Sequence, residues 1–329
     1  MTTEDIKELY YTYNTRGDTP FTLSPYFESS LDRAIARGDI REDHLSSIGL
    51  GLVEDLRTYA QSNKVHTVVI GMSGGIDSAL TASLFKAAGW NVIGVTMPIH
   101  QLEAETSRGI EACHALDIKH EHVDLSSVYD NLVEFYQSND VDFNTELMPG
   151  IPQEQAKRKG NLRARLRMIT LYNYASKNSG IVASTDNFSE LAAGFWTLHG
   201  DVGDVAPIQS LTKSWEVPML SSIMKVPEHI ITATPTDGLG ISTGDESQFG
   251  HSYAQLDLAL LDAMHNVQVH RHNSQEDLDI IKKIEHRIAS TTFKRVNPVN
   301  CMHPMSGDWR YQQLALLDKH LIANNLGEN

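Results

Sequence analysis

The chain has 329 residues, 41% apolar and 21% charged, a balance that gives a globular protein with one large α/β domain or two small ones. Its formal net charge of −15 disfavours nonspecific binding to nucleic acid, so a polyanionic substrate must be met by local basic clusters. No apolar run approaches the ~18 residues of a membrane span, the start MTTEDIKELYYTYN is no export signal, and Cys113 and Cys301 make no disulfide framework, so a reducing, cytoplasmic setting is expected.

Residues 1–40 carry no strong pattern, and TPFTLSPYFESS, with Pro20 and Pro25, reads as an extension rather than core. An amphipathic helix is expected over 41–62. The β-branched run 67–70 reads as a buried strand, followed by the Gly-rich turn GMSGGIDS. A helix over 78–88, with Leu80, Leu84, Ala87 and Ala88 at helical spacing, stops at Gly89. NVIGVTM is a second strand, 106–116 a helix, KHEHVDL a third strand, 154–177 a long helix and GIVAST a fourth strand. Strands alternating with helices predict a Rossmann-like α/β fold, a doubly wound parallel sheet with helices on both faces. Ligands of such sheets sit outside the carboxyl ends of the strands, where SGGIDS and STDNFSE both fall. After Gly194 the chain turns loop-rich, with GFWTLHGDVGDVAPIQSLTK and PTDGLGISTGDESQFG long enough to be lids or binding loops. Helices resume near Tyr253 and Asp277, and a last one is expected over 310–324.

GMSGGIDS, Gly71 to Ser78, is built for an anion. Small residues let backbone N–H groups converge, and the following helix aims its N-terminus at the same place. It is neither a Walker loop nor G-x-G-x-x-G. An acid, Asp77, inside an anion cradle makes sense when a cation bridges it to phosphate, and magnesium takes carboxylates together with phosphate oxygens. Two other readings fit parts of the pattern: a tight turn with Asp77 as a helix cap, and a G-x-S-x-G serine nucleophile for which no partner His and Asp stand out.

Strand, S-G-G-x-D-S and helix in this order resemble the pyrophosphate loop of N-type ATP pyrophosphatases. GNLRARLRM, STDNFSE, GDVGDVAPI, LTK, PTDGLG and FKR are similar to successive motifs of NAD synthetases, in the family order. The resemblance implies three segments: an N-terminal extension (1–40), an ATP pyrophosphatase domain (41–300) and a helical tail (301–329). It also implies site residues. Gly71, Met72, Ser73, Gly74, Gly75, Ile76, Asp77 and Ser78 would hold ATP, with Thr185, Lys213 and Thr236; Asp77 and Lys213 would be catalytic. Asp77 and Glu190 would ligate Mg²⁺, and Arg165, Asp204, Phe293 and Lys294 would contact deamido-NAD. The implied enzyme is an ammonia-dependent ligase of NAD biosynthesis: deamido-NAD is adenylated by ATP and then amidated by ammonia, without nucleic acid or membrane as partner. A homodimer is implied as well, and Leu162, Leu166, Ile169 and Tyr172 of the long helix could supply its contact.

The sequence departs from the family at Leu198, where a lysine usually contacts deamido-NAD, at Phe293, where a histidine usually precedes Lys294, and in a GDVGDVAPI loop one residue shorter than the common form. Each site residue has a plainer reading: Glu190 as a first-turn acid favouring a helix dipole, Lys213 as a surface charge, the RARLR stretch as a solvated face from which Arg165 points away. His265, His270, His272, Cys301 and His303 match no zinc spacing and read as polar loop. Two rival functions remain: an RNA-modifying pyrophosphatase, supported by Lys157, Arg158 and Lys159, and a non-catalytic nucleotide-binding module.

Overall fold

A computed structural model describes residues 1–15, 20–139, 152–233, 245–267 and 274–295. The chain divides into two compact units, Met1–Thr291 and Thr292–Asn329. Of the second, the described part is one helical turn, Thr292–Arg295.

In the first unit, four parallel strands stand in the order β3-β2-β1-β4: β1 (Thr67–Gly71), β2 (Asn91–Thr96), β3 (Lys119–His122) and β4 (Ile181–Val182). β1 pairs with β2 from Thr67↔Asn91 to Gly71↔Val95 and with β4 at Val68↔Ile181 and Val69↔Val182. The chain winds outward through β2 and β3, then returns to lay β4 on the other side of β1. The order reverses between β1 and β4, which opens a crevice at their carboxyl ends.

Alternate strand residues feed two different cores. Val68, Ile70 and Val92 pack with Leu56 of α3 (Leu45–Asn63), Leu80 and Leu84 of α4 (Ile76–Ala87), Ala112 and Cys113 of α5 (Glu103–Ala115) and Val217 of α9 (Glu216–Ile223). Val69, Ile93, Val95 and Val182 pack on the opposite face with Tyr129 of α6 (Ser126–Asn139) and Leu166, Leu171 and Ala175 of α7 (Pro152–Lys177). Burial on both faces is why these strands read as apolar runs rather than alternations. The doubly wound expectation holds. Helix α6 had no counterpart in the sequence reading.

A third, wholly helical cluster joins α1 (Thr3–Asn14), α2 (Pro25–Arg37), α8 (Phe188–Ala193), α12 (Tyr253–Met264) and α13 (Gln275–Ser290) around Trp215. Here the reading of TPFTLSPYFESS as extension fails. Tyr10, Phe27, Leu31 and Ala34 are fully buried. Phe27, Leu31 and Ala34 follow helical spacing; Ser24 caps the helix and Pro25 sits in its first turn, where proline is well tolerated. The short helix Asp245–Phe249 falls where a loop was expected. Residues 310–324, Thr236, His270, His272, Cys301 and His303 lie outside the described residues.

Candidate active site at the switch point

The turn between β1 and α4 is pinned by its small residues. Gly74 has φ +84°, and a Cβ there would lie 2.3 Å from the carbonyl oxygen of Glu105. The side chains of Met72 and Ile76 enter the core, and the Met72 N–H donates to Val95 O at 2.9 Å, which ties the start of the turn to β2. Ser73 Oγ accepts from the Gly75 N–H at 3.2 Å and lies 3.3 Å from Ser78 Oγ, which donates to Gly75 O at 2.9 Å. These local bonds hold the loop open as a cradle. No described histidine bonds to Ser73, which leaves the serine-nucleophile reading without a base.

Asp77, in the first turn of α4, caps nothing. Its Oδ2 pairs with Lys213 and its Oδ1 accepts from Asn187 Nδ2 at 3.0 Å. Asn187 is fully buried and joins both acids: its backbone N–H donates to Glu190 Oε2 at 3.2 Å, and its side-chain oxygen accepts from the Glu190 N–H at 3.0 Å, a capping box on α8. Tyr253 donates its hydroxyl to Glu190 Oε1 at 3.4 Å, and Lys213 Nζ lies 5.7 Å from the centre of the same ring. Thus Asp77, Glu190 and Lys213, up to 136 residues apart, meet at one place. Lys213 is 6% exposed, so it is no surface charge.

A buried network positions Lys213. Its N–H donates to Ser189 Oγ at 2.9 Å; the Ser189 hydroxyl donates to Asp257 Oδ1 at 2.5 Å, and the Ser214 N–H to Asp257 Oδ2 at 2.9 Å. Burial pushes the Asp257 carboxyl up to about 6 despite these donors. From α1, Asn14 Nδ2 donates to Ser214 O at 3.1 Å and the Tyr10 hydroxyl to Ser214 Oγ at 3.3 Å. The N-terminal helix therefore buttresses the turn that carries Lys213.

The other anticipated residues are more scattered. Thr185 is half-buried just beyond β4. Arg165 Nε donates to Leu198 O at 3.2 Å, which links α7 to the 194–213 loop. Arg163 instead stacks over Tyr129, and Arg167 binds Met97 O and Gln101. Asp204 ties that loop to the sheet: Oδ2 accepts from the Val182 N–H at 2.8 Å and Oδ1 from Tyr172 at 3.0 Å. Close approach here needs Gly203, whose Cβ would sit 2.5 Å from Val182 O. Phe293 and Lys294 belong to the second unit; Phe293 is exposed. Sequence reasoning missed Asn187, Ser189, Asp257 and Tyr253, and it missed Asp186. Buried at the end of β4, Asp186 accepts from Gln209 Nε2 at 2.7 Å through Oδ2, while Oδ1 has no partner. Burial, reinforced by Asp201 and Asp77, pushes its carboxyl up to about 6. For Asn187 and Glu190 a signal existed in the N-x-x-E spacing of a capping box.

The oxygen donors suit magnesium. Asp77 and Glu190 offer two carboxylates bracketed by Asn187, and magnesium completes such a set with phosphate oxygens and water. No cluster of three or more potential metal-ligating side chains occurs among the described residues, and no described helix is long and apolar enough to cross a membrane.

The chain is similar to known proteins over most of its length. The family model described as NAD synthase matches residues 50–298. An NH(3)-dependent NAD(+) synthetase of Mycoplasmopsis pulmonis is 35% identical over 256 residues, 76% of this chain and 88% of the relative. One of Methanococcoides burtonii is 31% identical over 265 residues, 78% and 96%. Among solved structures, NMN synthetase from Francisella tularensis superposes with a TM-score of 0.65 at 29% identity, covering 79% of this chain and 98% of that one. NH3-dependent NAD synthetase from Campylobacter jejuni gives 0.61 at 25%, covering 78% and 99%. Matches of this extent, over a doubly wound parallel sheet, place the chain in the NAD synthase family.

Proposed function

We propose that this chain is an ammonia-dependent ligase that converts deamido-NAD to NAD, with ATP cleaved to AMP and pyrophosphate. The observation that carries the reading is the convergence of Asp77, Glu190 and Lys213 beside the Gly71–Ser78 cradle. The cradle's backbone N–H groups and the N-terminus of α4 hold the ATP phosphates. Asp77 and Glu190 would hold Mg²⁺, which when bound neutralises phosphate charge. Lys213 meets the negative charge that grows as the substrate carboxylate attacks the α-phosphate and pyrophosphate leaves. Ammonia then displaces AMP from the acyl adenylate. The protein's work is positioning and electrostatic stabilisation, and no covalent enzyme intermediate is needed.

Thr185 and Thr236 are proposed to contact ATP; Arg165, Asp204, Phe293 and Lys294 are proposed to contact the dinucleotide. A homodimer is proposed too. Leu162 and Leu166 pack on the sheet, but Ile169, 68% exposed, and Tyr172 face outward, and Val128, Phe135 and Tyr136 of α6, which packs on α7, are exposed as well. Such an apolar face on neighbouring helices suits a second copy. The two-cysteine composition, with Cys113 a buried free thiol, supports a cytoplasmic setting.

A second reading shifts the substrate to the mononucleotide level. It is favoured by the likeness to the Francisella tularensis NMN synthetase together with Leu198, which puts an apolar side chain where the family usually offers a cation. One assay tests both. The chain is incubated with ATP, Mg²⁺, ammonium and either deamido-NAD or nicotinate mononucleotide, and products are identified by mass. AMP with the amidated dinucleotide is the expected outcome; amidation of the mononucleotide alone selects the second reading, and no AMP with either acid rejects both.

A further inference from the structure

Asp186 carries a buried oxygen that the reaction described so far does not use. Its side chain is 5% exposed, and Oδ1 has no hydrogen-bond partner. An ionised carboxylate left in that state is costly, and evolution rarely keeps one without use. The other oxygen accepts from Gln209. Gln209 also lines a cleft of about 400 Å³ between α3 and residues 205–210, walled by Leu52, Leu56, Val205 and Pro207 with Asp55 at its edge. The loop wall is fixed to the strand end: Ser184 N–H donates to Val205 O at 2.8 Å, and Ala183 bridges Val205. One glutamine thus belongs both to a mainly apolar cleft and to a buried acid at the switch point.

The electrostatics favour a small cation. Asp186 is faced by Asp77 from α4 and by Asp201 and the neutral Gln209 from the 194–215 loop. Magnesium, which fills its remaining positions with water and phosphate oxygens, is already given Asp77 and Glu190 in the reading above, and ammonium is the other cation that the reaction brings to this crevice. Ammonium is a pure donor, and the unpartnered Asp186 Oδ1 is an acceptor for one of its N–H groups. At neutral pH ammonium is also the prevailing form of the nitrogen donor and has no free lone pair, so a base must act on it.

We propose that ammonium passes through the cleft between α3 and residues 205–210 and is received by Asp186 Oδ1, which takes one of its protons. The proposal rests on the ligase reading above. Ammonium gives a proton to the Asp186 carboxylate, and the freed lone pair attacks the acyl carbon. As the C–N bond forms, the bond from that carbon to the adenylate oxygen breaks and its electron pair leaves with AMP. The nitrogen releases a second proton to solvent, and Asp186 then gives up the first to solvent as well, which regenerates the carboxylate. Gln209 holds the carboxylate in orientation.

Two half-reactions separate this role from a structural one. Exchange of pyrophosphate into ATP in the presence of deamido-NAD, without ammonium, reads adenylation; amide formation reads the second step. Asp186→Asn keeps volume and removes the base. It should lower kcat/KM for ammonium at least about 10²-fold, the range of general-base catalysis, and leave exchange nearly unchanged. The rise of wild-type kcat/KM for ammonium through a pH of about 6 should vanish. Hydroxylamine in its uncharged form needs no base and should remain a good acceptor in the variant. Unchanged ammonium kinetics overturn the proposal, as does a parallel fall of both half-reactions. If Asp186→Asn does not fold, Ala206→Trp on the cleft wall decides: a raised KM for ammonium with intact exchange supports the route, and an unchanged KM overturns it. Absence of exchange in the wild type would instead reject the ligase reading.

Discussion

Buried acids occur in two regions of the first unit, and their surroundings differ. In the helical layer, α12 carries Asp257 and Asp262. Asp257 receives Ser189 and Ser214, one on each oxygen. Asp262 receives Arg33 on both oxygens, Ser30 on Oδ2 and Arg37 on Oδ1. At the strand ends, buried Asp186 has one oxygen without a partner, and half-buried Asp77 beside it is divided between Lys213 and Asn187. Burial pushes both Asp257 and Asp186 to about 6, so titration alone does not separate them. Their partners do. A buried carboxylate whose donors are all internal holds the fold, whereas one left incomplete is waiting for something from outside.

The comparison is tested most severely at Asp77. Asp77→Asn keeps the shape but removes the charge shared by Lys213 and the proposed metal. Turnover should fall roughly 10²–10³-fold, the size of losing one preorganised electrostatic contact, with circular dichroism unchanged. Near-normal turnover would move Asp77 into the structural group.

Asp262 sharpens the other side. Asp262→Ala leaves Arg33 and Arg37 without their buried partner and should cost roughly 1–3 kcal/mol in denaturant unfolding, while folded enzyme keeps its activity. Burial alone would raise the Asp262 carboxyl, but hydrogen bonds from Arg33, Ser30 and Arg37 hold it below the ordinary 3.8. Its stabilisation is therefore present above that value and lost as pH falls through the lower folded one, so wild type and variant should converge only in acid. A gap that persists in acid would mean packing rather than charge.

The smallest effect has the opposite sign. For Asp186, raised from 3.8 to about 6, the stability tied to the protonated form is complete below 3.8 and lost as pH rises through about 6. Asp186→Asn should thus raise stability at neutral pH, on the order of 1 kcal/mol, with the gain fading in acid. A destabilised variant at neutral pH would show that Oδ1, too, has a donor and that Asp186 belongs with Asp257.

Local chemistry explains what the sequence could and could not reveal. The cradle was legible because Ser73, Gly74 and Gly75 act through backbone geometry within a few residues, and the strands because burial on both faces leaves continuous apolar runs. Asp257, Tyr253 and Asp186 were not legible. Their meaning lies in pairings across the fold, 68 residues from Ser189 to Asp257 and 63 from Glu190 to Tyr253. The N-terminal helices were missed for a different reason. The stretch with Pro20 and Pro25 reads as an extension although Ser24 and Pro25 together form a helix start, and Tyr10 and Asn14 show their purpose only against Ser214, some 200 residues on.

The central claim is that this site activates a carboxylate by transferring AMP to it. A heavy-oxygen label in the carboxylate of deamido-NAD reads that step directly. The chain should place one labelled oxygen in the phosphate of the released AMP and none in pyrophosphate, with its partner left in the amide. Label in pyrophosphate or inorganic phosphate, or ADP in place of AMP, would contradict the account.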